Sequence, residues 1–306
     1  MPSPPRTAYL SGLLLALTGS AFFSAKAVVA KLLYREGIDA VTLIALRMLL
    51  SLPVFLAVAI YTWRRKPRLS ANDLWRIAGL GLLGYYASSM LDFLGLQYLS
   101  AGLERLILFL TPSFVLLLGI VWLRRPVTAR QWLSLVVAYG GVVLVFWHDL
   151  HLGGRNTVLG SALVLGAALV YAVYLLASGE LLKRVGSVRL VALAMSVSAL
   201  ACLAQYALLR PWPTLFAQND AVWSLSLINA GLCTVLPVFL TMIAVARVGA
   251  GPASLAGMIG PVSTLFLAYW LLAEPITGLQ LAGTALVLAG MLLLSSRAAT
   301  AAAPKA

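Results

Sequence analysis

Ten apolar stretches, most of them twenty residues or longer, follow one another along this chain with only short polar connectors between them. They run over about 9–34, 40–62, 75–99, 102–123, 130–147, 157–182, 188–209, 221–247, 251–272 and 278–296. A helix needs roughly 20 mainly apolar residues to cross a bilayer. Lipid offers the backbone no hydrogen bonds, so a spanning segment must satisfy its own, as a helix does. The expected fold is therefore an all-α integral membrane protein with ten transmembrane helices. Of the 306 residues, 62% are hydrophobic and 10% are charged, whereas a soluble domain carries about 25% charge. That excludes a water-soluble enzyme, a disordered regulator and a secreted disulfide scaffold. No connector is long enough for a soluble domain, so function lies within the membrane or in short loops. The segment beginning at Tyr9 is too long for a signal-peptide core and lacks a small-residue cleavage site, so it reads as a retained helix.

The charge is lopsided, with 22 Lys and Arg against 9 Asp and Glu, a net of +13. In a soluble chain this would suggest nucleic acid; in a membrane chain it reports orientation, and no nucleic-acid partner is expected. Ten spans put both termini on one side. Fifteen cations fall on that side, among them the run Arg64 to Arg68. Five fall on the other: Lys31, Arg35, Arg105, Arg155 and Arg210. Lys26 and Arg47 fall inside spans. The bias predicts cytoplasmic termini in a cell (inner) membrane. Cys202 and Cys233 sit in apolar runs and read as small buried residues. His148 and His151 share a polar connector with Asp149. No metal site and no cofactor is expected from either set.

The two halves resemble each other at a fixed offset of 149 residues. Pro112 pairs with Pro261, Pro126 with Pro275, Thr128 with Thr277, Gln131 with Gln280, Gly141 with Gly290 and Gly37 with Gly186. The shared Pro-x-Thr-x-x-Gln pattern is the most specific match. The expected organisation is a first five-helix repeat over 1–150 and a second over 151–306. Five is odd, so the second repeat must enter the membrane from the opposite side. Inverted repeats are the usual build of secondary transporters, with a site near the midplane between the halves.

With these features the sequence resembles the drug/metabolite transporter superfamily, EamA type, over nearly its whole length. The resemblance rests on Ala101-Gly102 opening helix four, on Pro112 and Pro261 in mid-helix, and on Leu272-Ala273-Glu274-Pro275 closing helix nine. The family often has an acid before the proline in both halves; here Glu274 keeps it, and Arg125 stands in the first half. The resemblance implies a small-molecule carrier, commonly an exporter, with a cavity lined by helices one to four and six to nine. Within the family the sequence is similar to the aromatic amino acid exporters of bacterial inner membranes.

Ionisable residues inside spans are costly and are read as functional. Lys26, Arg47 and Asp92 all fall in the half of the membrane away from the termini, and they predict a charged vestibule there. Snorkelling of Lys26 and Arg47 is the competing reading, as is a Lys26–Asp92 or Arg47–Asp92 pair that only holds the bundle. Glu104-Arg105, at the start of helix four, reads as an interfacial pair. Tyr85, Ser88 and Asp92, spaced i, i+3, i+7, share one face of helix three, and Thr234 and Thr241 follow in helix eight. Tyr171, Tyr174 and Ser178 share a face of helix six, matched by Phe22 beside Lys26 in helix one. Such a wall suits a largely apolar zwitterion, though ordinary packing of small polar residues is the alternative. Pro112 and Pro261 free the carbonyls of Leu108 and Gly257 and should kink their helices. With Gly257 and Gly260 they are the expected hinges, fixed kinks being the alternative.

The expected function is secondary transport by alternating access, exporting small metabolites, with aromatic or other neutral amino acids foremost. Sugar-phosphate, nucleotide-sugar or drug carriage on the same fold is the runner-up. A membrane enzyme or a non-transporting scaffold is the alternative of a different class, and an enzyme is not expected. The expected partners are the small-molecule substrate and the lipid bilayer, with the protein a monomer or weak dimer. Energy coupling stays open between proton exchange at Asp92 and facilitated diffusion.

Overall fold

The computed structural model describes residues 6–124, 127–153 and 155–301, and every regular element among them is helical. The helices are α1 Arg6–Arg35, α2 Ala40–Arg65, α3 Ala71–Leu96, α4 in two pieces (Ala101–Leu108 and Thr111–Leu123) and α5 Ala129–Gly153. The second half has α6 Arg155–Val185, α7 Ser187–Leu209, α8 Asp220–Val248, α9 in two pieces (Ala250–Gly257 and Ile259–Leu272) and α10 Gly278–Ala301. Among the described residues nine helices are long and apolar enough to cross a membrane, and Gly278–Leu294 is a shorter apolar stretch. Exposed tryptophans mark the helix ends. Trp63, Trp75, Trp122 and Trp132 lie toward the side of the termini, and Trp147, Trp212 and Trp270 toward the other. Such rings suit the two membrane–water interfaces.

The 149-residue offset is a property of the backbone as well as of the sequence. Gly37 and Gly186 both take positive φ, at 84° and 86°, in the turns after α1 and α6. A side chain would be strained in that conformation. Arg124 and Ala273, which end α4 and α9, both take left-handed φ, at 47° and 56°. The Thr–Gln matches are paired caps. Thr128 N donates to Gln131 Oε1 and Gln131 N to Thr128 Oγ1, and Thr277 and Gln280 repeat both bonds. Helix packing follows the same symmetry. α1 packs on α8 and α9 as α6 packs on α3 and α4, while α2 pairs with its counterpart α7 and α5 with its counterpart α10. The halves thus interlock about a pseudo-two-fold axis. Arg125, Pro126 and Gly154 lie outside the described residues, and with them the first half's equivalent of Glu274.

Three sequence expectations change. The connector containing His148, Asp149 and His151 is the end of α5. Asp149 is buried there and accepts from Ser100, the N-cap of α4, at 2.5 Å. A short helix, Trp212–Phe216, lies in the α7–α8 connection, which the sequence reads only as a short polar connector. Finally, α3 and α8 are not continuous α-helices. Each contains a π-helical segment, Leu82–Ala87 in one and Gly231–Val235 in the other, and the two begin 149 residues apart.

The α5–α10 contact depends on glycine. A Cβ at Gly141 would stand 2.5 Å from the carbonyl oxygen of Gly283, and one at Gly290 would stand 2.7 Å from that of Ser134. Gly141→Leu should therefore force the pair apart and cost about 1–3 kcal/mol. Gly79→Ala, where a Cβ meets nothing within 4 Å, should be near neutral. Thermal unfolding in detergent checks this: Gly141→Leu should lower Tm by several degrees relative to Gly79→Ala, and equal Tm values would contradict the packing.

Candidate functional site

A cavity of about 750 Å³ lies between the two halves. The π segments help to shape it. Such a turn leaves a carbonyl unpaired and displaces the side chains that follow it. In α8 the hydroxyl of Thr234 takes up the carbonyl of Asn229, five residues back, at 2.9 Å. Gly84 and Tyr85 of one segment and Cys233 and Thr234 of the other line the cavity. The broken helices contribute as well. α4 is interrupted at Phe109–Leu110 and α9 at Met258, just before Pro112 and Pro261. Both freed carbonyls find donors. Thr111 Oγ1 donates to Leu108 O at 2.7 Å, and Ser20 Oγ of α1 donates to Gly257 O at 2.9 Å. Leu108, Phe109, Pro112, Gly257 and Met258 all face the space.

One end of the cavity is charged. Lys26 Nζ lies 2.5 Å from Asp92 Oδ2 and 3.8 Å from Glu104 Oε1, so both carboxyl groups share one ammonium. Arg47 and Arg105 flank them. Arg47 Nη2 reaches Ser89 Oγ at 3.4 Å and its guanidinium stacks over Phe93 at 4.9 Å. Arg105 Nη2 reaches Ser24 Oγ at 3.1 Å and stacks over Phe23 at 5.0 Å. Lys26 Nζ lies near both rings, 5.1 Å from the centre of Phe93 and 5.4 Å from that of Phe23. Cation and ring faces attract, more strongly where water is excluded. Lys26, Arg47, Asp92, Glu104 and Arg105 are each at most 7% exposed. Snorkelling is therefore ruled out for Lys26 and Arg47. Glu104-Arg105 is not an interfacial pair either, because Glu104 is fully buried and Arg105 lines the cavity.

The side wall is aromatic. Tyr85, Tyr171 and Tyr174 form a cluster with centroids 5.1–6.5 Å apart, and the hydroxyls of Tyr85 and Tyr174 meet at 3.1 Å. Ser88 Oγ donates across to Ala167 O at 3.1 Å, tying α3 to α6. Of the residues expected from sequence, Lys26, Arg47, Tyr85, Ser88, Asp92, Tyr171, Thr234, Pro112 and Gly257 line the cavity. Phe22, Tyr174, Ser178, Thr241, Gly260 and Pro261 do not. Phe23 stands in the position expected for Phe22. Tyr174 backs Tyr85, and Ser178 bonds to Leu175 O of its own helix. Thr241 is exposed and lies against Gly19 of α1. Gly260 makes room for Arg105, whose Nη2 would stand 2.8 Å from a Cβ placed there.

Arg105 is the residue that sequence reasoning missed. Arg105, Leu108, Pro112, Val115, Leu116 and Gly119 recur at three- and four-residue spacing, and all of them line the cavity. Extending the face of Pro112 one turn further would have found it.

The charged end is the blind end. On the side away from the termini, Lys31 pairs with Glu274 at 3.2 Å and also donates to the carbonyl of Leu99. Glu274 in turn accepts from the backbone N of Ala101 at 3.1 Å, and Arg35 donates to the carbonyl of Leu272 at 2.5 Å. These bonds tie the end of α1 to the start of α4 and the end of α9. In the other direction the lining continues to Gly119, Gln131 and Leu294, near the helix ends that share a side with the termini. The vestibule expected to open on the side away from the termini is thus sealed there.

The fold agrees with the comparisons to known proteins. The chain matches the EamA-like transporter family over residues 10–147 and 158–296. It belongs to that family. It is 30% identical over 284 residues to a Bacillus subtilis protein described as "Uncharacterized transporter YcbK", covering 89% of each chain. It is also 30% identical over 235 residues to a "Probable terminal-alkyne amino-acid exporter" of Streptantibioticus cattleyicolor, covering 76% of each. A solved crystal structure at 17% identity superposes with a TM-score of 0.64, over 96% of this chain and 99% of that one, and shares the fold. This EamA-family protein is therefore a multi-pass membrane transporter of the drug/metabolite superfamily.

The buried cluster makes a stability prediction. Lys26→Met leaves two neighbouring acids without their shared cation and should cost about 3–5 kcal/mol. Adding Asp92→Asn removes one of those acids and should restore part of the loss. Thermal unfolding in detergent measures both, and a double variant less stable than Lys26→Met would contradict the pairing.

Proposed function

We propose that this transporter exports neutral amino acids, aromatic ones foremost, by alternating access across a cell (inner) membrane with both termini cytoplasmic. The observation that carries this reading is the make-up of the cavity. A wall of tyrosines and apolar side chains meets, at one end, a cluster of three cations and two acids. A volume of about 750 Å³ accommodates a small metabolite with room to spare, since pockets for drug-sized ligands run from about 300 to 1,000 Å³. Rings pack on rings, and the charged end orients the polar head. The "Probable terminal-alkyne amino-acid exporter" of Streptantibioticus supports an amino-acid substrate by its name. The cation bias supports the orientation.

In this reading the helix breaks at Phe109–Leu110 and Met258 are the flexing points. They occupy equivalent places in the two repeats, so exchange of conformation between the repeats would close the present opening and release the opposite seal. Transport, not catalysis, is the role assigned to the interior.

Uptake of labelled substrates by proteoliposomes tests the proposal. Phenylalanine should show saturable exchange that exceeds the movement of a sugar phosphate or a drug cation. Movement of either of those with no amino acid transported would overturn the reading. Tyr171→Ala should raise the half-saturating phenylalanine concentration about two- to tenfold, the range of a lost aromatic contact.

A further inference from the structure

We propose that Arg47 and Arg105 form an anion seat for one carboxylate, so that the transporter selects its substrates by their acid group and not by their amine. The proposal rests on the amino-acid reading above and names the recognition element.

The two guanidiniums differ from every other buried cation in the cluster. Lys26 is held by Asp92 at 2.5 Å. Among the described residues, neither Arg47 nor Arg105 has an acid within 4.0 Å. Both are more than nine-tenths buried and both line the cavity. A guanidinium carries five N–H donors in a planar fork. Each of these gives one side-chain hydrogen bond, to Ser89 or to Ser24, and the buried Nε of each has no partner. The ring faces of Phe93 and Phe23 each cover a guanidinium. The edges of the fork, which match a carboxylate bidentately, are the part left to bond. Burying a cation without such a partner is costly, so the arrangement calls for an anion arriving from the cavity.

Charge favours an anion. The cluster holds three cations, Lys26, Arg47 and Arg105, against two acids, Asp92 and Glu104. The two unpaired forks together suit one carboxylate. The substrate amine is placed differently. Asp92 lines the cavity and keeps Oδ1 without a partner, but its charge is already matched by Lys26. It can accept a hydrogen bond from an ammonium without supplying net attraction. A substrate that is only a cation meets a site of like charge.

The inferred class is therefore monocarboxylates with an aromatic or apolar body, whether or not they carry an α-amine. Equilibrium binding to the full-length protein in detergent tests this with three probes: phenylalanine, 3-phenylpropionate and phenylalaninamide. Both acids should bind, with affinities within about tenfold of each other. The amide, whose carboxylate is replaced, should bind at least about tenfold more weakly than either. Arg105→Gln and Arg47→Gln should each weaken both acids by about ten- to a hundredfold, the range of a lost charge-assisted bond. Arg105→Lys, which keeps the charge but not the fork, should recover part of the loss. The wild-type comparison stands even if a variant does not fold.

Binding of the amide as tightly as phenylalanine would overturn the anion seat. The amino-acid reading would survive that result if phenylalanine were still transported. Failure of both acids to bind overturns the seat as well, and phenylalanine exchange in proteoliposomes then decides separately whether the amino-acid reading falls with it.

Discussion

Five charged side chains sealed inside an apolar bundle set the terms for the rest of this structure. Lys26, Arg47, Asp92, Glu104 and Arg105 come from four helices of the first repeat, α1 to α4, and each is at most 7% exposed. At this degree of burial an unmatched charge is costly, and the surrounding residues answer that cost. Asp92 and Glu104 share Lys26, Phe23 and Phe93 face the cations, and Ser24 and Ser89 accept from the two arginines. Gly260 lacks a side chain where Arg105 lies. The cluster therefore fixes how α1 to α4 approach one another and where α9 may pass. Lys26, Arg47, Asp92 and Arg105 also line the cavity.

The pseudo-two-fold provides a symmetric frame for this asymmetric content. The π segments, the helix breaks, the glycine turns and the Thr–Gln caps all recur at one offset, so the two repeats share their means of bending. None of the five cluster charges recurs. Their counterparts 149 residues later are Leu175, Ser196, Thr241, Ala253 and Ser254. In the proposed mechanism, symmetry serves the movement of the halves and asymmetry serves recognition. The seal at the blind end crosses between repeats, since Lys31 and Arg35 of α1 bind Glu274 and the carbonyl of Leu272 at the end of α9. Such contacts must break if the opposite face is to open.

Much of this was legible in the sequence because hydrophobic length and backbone chemistry are written locally. Runs of apolar residues located the ten helices, and Pro112 and Pro261 located the freed carbonyls, which the structure satisfies with Thr111 and Ser20. The stripe of Tyr85, Ser88 and Asp92 was found by helical spacing and does line the cavity. The π segments were not legible, because an extra residue per turn leaves no mark in composition. Arg105 was misplaced because it sits only one turn from the start of α4, where a charge is ordinarily solvated. Here the α3–α4 turn is capped by Lys31 and Glu274, and Arg105 is buried beneath it. Thr241 fits the spacing of its stripe but lies beyond the point where α8 turns against α1.

The central claim is that the cavity opens toward the face bearing the termini and ends blindly at the charged cluster. With Cys202 and Cys233 replaced by serine, a single cysteine at Leu116, on the cavity wall toward the opening, reports it. In vesicles of known orientation, a membrane-impermeant maleimide should label this cysteine from the face bearing the termini and not from the other. Labelling from the opposite face alone would contradict the account.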